Sequence, residues 1–236
     1  MRRLILLLLS SAAFAQGPTV PFPFVPQSTA PPSIVQSVGD SSATYQTNPT
    51  TQIVLSGVTS PDVLVLWVGT LSGVSSISTP TGCGVTFSAQ GTFTNSEIIF
   101  LAPVSSSSGA CTVSISSTSS GSSAIQAVLF EVSHVTTSTP VISSYHAGSY
   151  CTTSCVGATV ATTVANSMML SFMGCYGVGS TFSSPSPFTY DINATDNQGV
   201  LRGGGHYLQA STGTYSPTYA YTPGATFCDV SIGLHP

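Results

Sequence analysis

The sequence has very few charged residues. Its 236 residues include no lysine and only three arginines, and charged residues make up 4 % of the chain, against about 25 % in typical soluble proteins. So few cations cannot build the basic surface that binds nucleic acid or an anionic membrane, and both are excluded as partners. Serine and threonine, about 30 % of the residues, supply the wettable surface that charged residues normally provide.

Long apolar runs are also lacking. One run of six, residues 4–9, follows Arg2 and Arg3 and precedes the small-residue site Ala13-Phe14-Ala15. This order of segments is typical of a secretory signal peptide, and the apolar run is too short to span a bilayer. We therefore expect residues 1–15 to be removed, leaving a secreted or cell-surface protein with no membrane span. Without this segment the formal charge changes from −4 to 1 − 7 = −6.

Export makes disulfides the expected state of the cysteines. All six lie in the exported part: Cys83, Cys111, Cys151, Cys155, Cys175 and Cys228. Fifteen pairings are open. We favour Cys83 with Cys111 and Cys175 with Cys228, because each pair lies within one half of the repeat described below, while Cys151 and Cys155 would close a small loop. No C-x2-C pair supports a zinc site.

Helix signals are missing, since no segment keeps a 3.6-residue apolar period between caps. Residues 16–34 are rich in proline and predict an extended arm. From residue 35 onward, short runs of β-formers are separated by Gly, Ser, Pro and Asn clusters, which predicts an all-β sandwich or barrel. The runs at 63–68 and 98–102 predict strands in the middle of the sandwich that are either covered on both faces or curve across a closed core. In 228–235 the alternation predicts one core face and one wet face, the latter carrying Asp229 and Ser231.

An internal repeat of roughly one hundred residues organises this pattern. Residues 60–66 align with 164–170, and residues 127–132 align with 229–234. About four strands recur, in halves of about 40–136 and 150–236. Because small domains bury too little surface, we predict one antiparallel jelly-roll-like β-sandwich over residues 35–236, built from two pseudo-repeats. Two separate sandwiches are the alternative.

The order of these segments carries a resemblance. DVLVLWVG, a Thr-Pro-x-Gly segment, IIFLAPV, TVSIS and AVLFEVSHV follow one another, and the chain closes on DVSIGLHP. This succession resembles a loosely defined group of secreted bacterial and phage-associated jelly-roll β-sandwich proteins. The resemblance covers nearly all of residues 40–236. It implies the fold and a surface, tail-fibre or adhesion role, and it implies no catalytic residues.

Candidate reactive residues do not form a convincing constellation. Gly39-Asp40-Ser41 spells a lipase nucleophile segment, but that group has an α/β fold. Glu131 lies on an apolar strand with no nearby acid to complete a glycosidase pair, so we expect it on a wet face. The four histidines are scattered. We therefore predict from the sequence that the protein is not an enzyme.

Two weaker binding predictions remain. Asp191, Asn193 and Asp196 in one polar loop supply oxygen ligands suited to calcium, the only cofactor that the residues suggest. The tyrosines suggest sugar stacking, although we expect Trp67 and the face of Tyr215, Tyr219 and Tyr221 to be buried.

These observations favour an exported, non-enzymatic structural or adhesive surface protein, with a filament or surface-layer subunit as one form. A carbohydrate-binding module is the alternative, and a glycan-active or esterase-like enzyme is third. The expected partners are other copies of the chain, a cell surface or glycans.

Overall fold

The computed structural model describes residues 30–41, 45–71, 74–94, 97–136, 141–151, 154–176, 181–182, 187–195, 201–222 and 225–236. Within these ranges every regular element is a β-strand, which confirms the predicted all-β class. The predicted signal peptide lies outside the described residues, and so does most of the predicted arm. The described part contains no helix with the length and hydrophobicity needed to cross a bilayer.

Ten strands come from the first half of the described chain: β1 (Ser33–Ser41), β2 (Thr50–Leu55), β3 (Val63–Leu71), β4 (Val74–Ile77), β5 (Thr81–Gly82), β6 (Val85–Thr86), β7 (Ser88–Thr94), β8 (Glu97–Pro103), β9 (Cys111–Ser119) and β10 (Ala124–Ser133). The second half supplies ten more: β11 (Val141–Cys151), β12 (Ser154–Val156), β13 (Val160–Thr162), β14 (Ser167–Tyr176), β15 (Thr181–Phe182), β16 (Thr189–Thr195), β17 (Leu201–Gln209), β18 (Gly213–Tyr215), β19 (Thr218–Thr222) and β20 (Ala225–Leu234).

Two five-stranded antiparallel sheets form the middle of the molecule. The first central sheet has the order β1-β10-β3-β8-β7, and the second central sheet has the order β11-β20-β14-β17-β16. They are stacked so that β1 lies near β16, β3 lies over β14 and β7 lies near β11. The strand orders of the two sheets therefore run in opposite directions across the stack.

Smaller sheets cover the outer faces of both central sheets. The outer sheet of the first half has the order β2-β9-β5-β6, with β4 also paired to β9. In the second half, the outer strands form the short sheets β12-β19-β15 and β13-β18. The described chain is thus arranged in four layers of antiparallel strands packed on one another.

Among the described residues, three apolar clusters fill spaces between these layers. Ile53 and Val113 of the outer sheet pack with Leu66 and Phe100 on one face of the first central sheet. The opposite face of that sheet packs on the second central sheet through the cluster that contains Trp67, Phe130, Phe172 and Ile232. The third cluster contains Val160, Met169 and Phe188. The central sheets are therefore buried on both faces.

This layering explains the apolar sequence of the central strands. Residues 63–68 of β3 are all at most 1 % exposed, and residues 98–102 of β8 are all at most 8 % exposed. Strands covered on both faces need consecutive apolar residues, so the prediction for these two runs is confirmed. Trp67 is buried as predicted. It stacks on Phe172 with ring centroids 6.4 Å apart.

The prediction for β20 is wrong in one respect. The sequence alternation assigned Asp229 and Ser231 to a wet face, but both are 0 % exposed. The short outer strands of the second half cover that face, and Tyr219 on β19 reaches the carboxylate of Asp229. Alternation shows that two faces differ in polarity, and it does not show whether a further layer covers the polar one.

Candidate functional sites

An open cleft lies where the outer sheet of the first half meets the end of β1. Its volume is about 640 Å³, within the range of small-molecule sites. The cleft is lined by Asp40, Ser41, Thr50, Thr51, Gln52, Thr79, Thr81, Ser114, Ile115 and Ser116. Nine of these ten residues have polar side chains, and eight of the nine are uncharged.

The floor of the cleft is the outward face of three paired strands. The β-pleat alternates along β2, which turns Ile53 and Leu55 into the core and leaves Thr50 and Gln52 exposed. Cross-strand pairing then sets Gln52 opposite Ser114, and Ser114 opposite Thr81. Neighbouring strands lie about 4.8 Å apart, so these side chains form a closely spaced polar row.

One wall of the cleft carries its only charged lining residue. This residue is Asp40, whose carboxylate accepts a hydrogen bond from Thr51 Oγ1 at 2.7 Å. Next to it, Ser41 Oγ accepts a hydrogen bond from Arg202 Nη1 at 2.8 Å. Arg202 comes from β17, so the second half of the chain supports this wall. A guanidinium is always protonated and cannot act as a base, so it cannot activate Ser41 as a nucleophile.

A buried carboxyl pair lies at the other end of β10. Glu131 is 0 % exposed and Asp62 is 4 % exposed, and their side chains are hydrogen-bonded to each other. Glu131 also accepts hydrogen bonds from Gln36 Nε2 at 2.5 Å and from the backbone N–H of Thr59 at 2.6 Å. Burial, followed by the charge and hydrogen bond of Glu131, raises the pKa of Asp62 from 3.8 to about 6, against an opposing effect of His134.

The expectation that Glu131 lies on a wet face is therefore wrong. No partner is evident in the sequence because Asp62 lies far away along the chain, just before β3, and the two meet only because β10 pairs with β3. Hydrogen bonds of the pair connect three parts of the chain: β1, β10, and the segment that precedes β3. It is closed to solvent, so it is not placed to act on a substrate.

A second buried carboxylate organises the interior of the second half. Asp229 accepts hydrogen bonds from Ser171 Oγ and from the Tyr219 hydroxyl, both at 2.7 Å, and from the backbone N–H of Ala158. Burial raises the pKa of Asp229 from 3.8 to about 6, although these hydrogen bonds act to lower it. This network joins β14, β19 and β20 and is also closed to solvent.

The structure places Asp191 and Asn193 of the predicted calcium loop on strand β16, so this part of the segment is not a loop. Asp191 Oδ2 lies 2.7 Å from Nδ1 of His206 across the β16–β17 pair. The side chain of Asn193 and all of Asp196 lie outside the described part. In the part that the structure describes, no group of three or more potential ligand residues is arranged to hold a metal. Calcium at this loop stays a prediction.

The cysteine prediction is confirmed for one pair. Cys83 and Cys111 form a disulfide with a sequence separation of 28. It links the turn after β5 to the start of β9, beneath the floor of the cleft. The side chains of Cys151, Cys155, Cys175 and Cys228 lie outside the described part, so their pairing stays a prediction.

The aromatic residues behave mostly as expected. Tyr219 is buried and Tyr215 is half-buried, while the side chain of Tyr221 lies outside the described part. Tyr207 and Tyr215 pack on each other with ring centroids 5.3 Å apart. None of the described residues that line the cleft is aromatic, so they offer no ring on which a sugar could stack.

Charge is almost absent from the described surface. Four of the described charged residues are buried: Asp62, Glu97, Glu131 and Asp229. The other three described ones, Asp40, Asp191 and Arg202, are half-buried.

The chain matches no protein-family model, no curated protein and no solved structure.

Proposed function

We propose that this chain is an exported, non-enzymatic structural or adhesive surface protein that contacts its partners through uncharged, hydroxyl-rich faces. The observation that carries the proposal is the lack of any fully exposed charged side chain in the described part. Such a surface neither steers nor repels partners over long distances. Its contacts are short-range hydrogen bonds and apolar contacts, as adhesion to neutral surfaces requires.

The state of the acidic residues supports a non-catalytic role. General acid–base catalysis needs a carboxyl group within hydrogen-bond reach of a substrate. The two carboxyl clusters with raised pKa values, at Asp62 and at Asp229, are buried and already hydrogen-bonded within the protein. The open cleft contains one carboxylate, Asp40, and none of its other lining residues is an acid or a histidine.

In this proposal the chain is a duplicated jelly roll. Support comes from the sheet orders, since β1-β10-β3-β8-β7 corresponds strand by strand to β11-β20-β14-β17-β16. In the first half, the β2-β9-β5-β6 sheet opposite it matches the second layer of an eight-stranded jelly roll. The opposed stacking of the central sheets resembles a self-complementary dimer interface. In this proposal the two units, packed through their central sheets, act as one building block of a cell surface.

The proposal is tested on the full-length chain expressed in a secreting bacterial host. Cells are washed at about 10 mM and at about 1 M NaCl, a range over which screening removes most surface electrostatics, and the cell-bound fraction is measured by immunoblot. We expect equal bound fractions at both salt concentrations, and a mature N-terminus near Gln16 by mass spectrometry. Release at high salt, or a protein found only inside the cells, would contradict the proposal.

A further inference from the structure

The hydroxyl-lined cleft is an open site, lined by described residues, to which no ligand has been assigned above. Its exposed polar side chains are not used by the fold. Thr50, Gln52, Thr81 and Ser114 form no side-chain hydrogen bond within the described part of the protein. Each hydroxyl offers one donor and two acceptor positions, and the amide of Gln52 offers both kinds of group. The cleft therefore presents a surface of unused donors and acceptors in fixed positions.

Charge restricts the chemistry of its ligand. The one charged lining residue is the carboxylate of Asp40, which accepts hydrogen bonds and donates none. Phosphate, sulfate and uronate groups would meet this carboxylate. The one described cation near it, Arg202, is not among the lining residues and already donates a hydrogen bond to Ser41 Oγ. A neutral ligand with many hydroxyl groups avoids that repulsion. Its hydroxyls can donate to Asp40 and both donate to and accept from the serines and threonines.

The shape of the site favours a chain over a single small molecule. The floor continues along the outward face of β9, where Thr112 is half-buried and Thr118 is exposed. Beyond it, Thr118 is hydrogen-bonded to Ser76 of β4. Hydroxyl side chains thus extend past both ends of the cleft floor on one continuous strand. Threonine methyl groups add apolar contacts for the C–H faces of a ligand.

From these features we infer that the cleft between the end of β1 and the outer sheet of the first half binds a neutral polysaccharide chain. This inference rests on the proposed function, because it names the kind of surface to which the protein adheres. Binding without an aromatic platform is weak for each sugar unit, since stacking does not contribute. Retention on a polymer therefore depends on contacts repeated along the chain.

The test uses affinity electrophoresis of the purified mature chain in gels that contain soluble polysaccharides. Laminarin, dextran, galactomannan and xyloglucan are the neutral probes, and polygalacturonate is the anionic probe. We expect retardation by at least one neutral probe and none by polygalacturonate. Retardation by none of the four neutral probes, or by polygalacturonate alone, would overturn the inference.

Two matched substitutions locate the site. Ser114→Trp fills the floor of the cleft, whereas Thr214→Trp places the same ring on β18 in the second half, away from the cleft and from β9. Both positions are exposed, so both variants are expected to fold, and thermal unfolding checks this. We expect Ser114→Trp to weaken retardation by about tenfold or more and Thr214→Trp by less than about twofold. Equal effects of the two substitutions would refute the assignment.

Asp40→Asn tests the contribution of the carboxylate to binding separately from that of the hydroxyl groups. The variant keeps an acceptor oxygen for Thr51 and removes the negative charge, and we expect it to weaken retardation by a neutral probe. A failure of the cleft inference is distinguishable from a failure of the proposed function. If no neutral probe is retarded while the cell-bound fraction still resists salt, only the cleft inference fails.

Discussion

The stability of this protein should increase as the pH falls from neutral to mildly acidic values. Burial raises the pKa values of Asp62 and Asp229 from 3.8 to about 6 in the folded state. The folded protein therefore binds these two protons more tightly than the unfolded chain does. The resulting stability is fully present below the unfolded pKa of 3.8 and is lost as the pH rises through about 6.

The size of the effect follows from the two pKa values. Between about pH 7.5 and about pH 5, a group with these values stabilises the folded state by about 1.4 kcal/mol. The two groups together contribute about 3 kcal/mol, which for a chain of this size raises the Tm by about 6–10 °C. The chain contains four histidines besides its seven acidic residues, so variants of the two aspartates are needed to assign the change to them.

Differential scanning calorimetry at about pH 5, 6 and 7.5 measures the effect at constant ionic strength. Asp62→Asn and Asp229→Asn each keep a hydrogen-bonding group of the same size and remove one titration. We expect each variant to lose about half of the pH dependence and the double variant to lose nearly all of it. A wild-type Tm that is unchanged or lower at about pH 5, or a double variant that keeps the full dependence, would refute the reasoning.

Three further predictions concern the core. Phe172→Ala removes a ring from the contact between the central sheets, so it should lower the free energy of unfolding, measured with urea, by about 3–5 kcal/mol. A decrease below about 1 kcal/mol would mean that the sheets are not packed as described. Reduction of the Cys83–Cys111 disulfide should cost about 3.5 kcal/mol by the loop-entropy relation, and an unchanged urea midpoint after reduction would argue against it. Glu131→Gln should lower the free energy of unfolding by about 1–3 kcal/mol, because the amide cannot accept both hydrogen bonds that the carboxylate accepts. An unchanged free energy of unfolding in the same assay would show that these bonds do not contribute.

Local sequence patterns predicted the class of the fold well. The consecutive apolar residues of β3 and β8 identified strands covered on both faces, because no other strand environment tolerates such runs. The absence of helix periodicity predicted the absence of helix in the described part. Proximity within one half of the chain was enough to pair Cys83 with Cys111.

The environment of the acidic residues was not predictable in this way. Glu131 looked like a surface residue because its partner Asp62 is distant in sequence, and pairing of β10 with β3 brings the two together. Asp229 looked like a wet-face residue because alternation along one strand contains no information about a neighbouring layer. Both carboxyl groups owe their raised pKa values mainly to burial, which is a property of the stacked sheets.

The same reasoning applies to the cleft. The sequence determined that Thr50, Gln52 and Ser114 lie on polar faces of β-strands, since side chains on a strand alternate between two faces. Only the tertiary structure decided that these faces meet beside Asp40, because strand pairing and sheet stacking join segments that are far apart along the chain. Side-chain alternation depends on the local backbone, whereas the position of one sheet on another depends on the packing of the whole core.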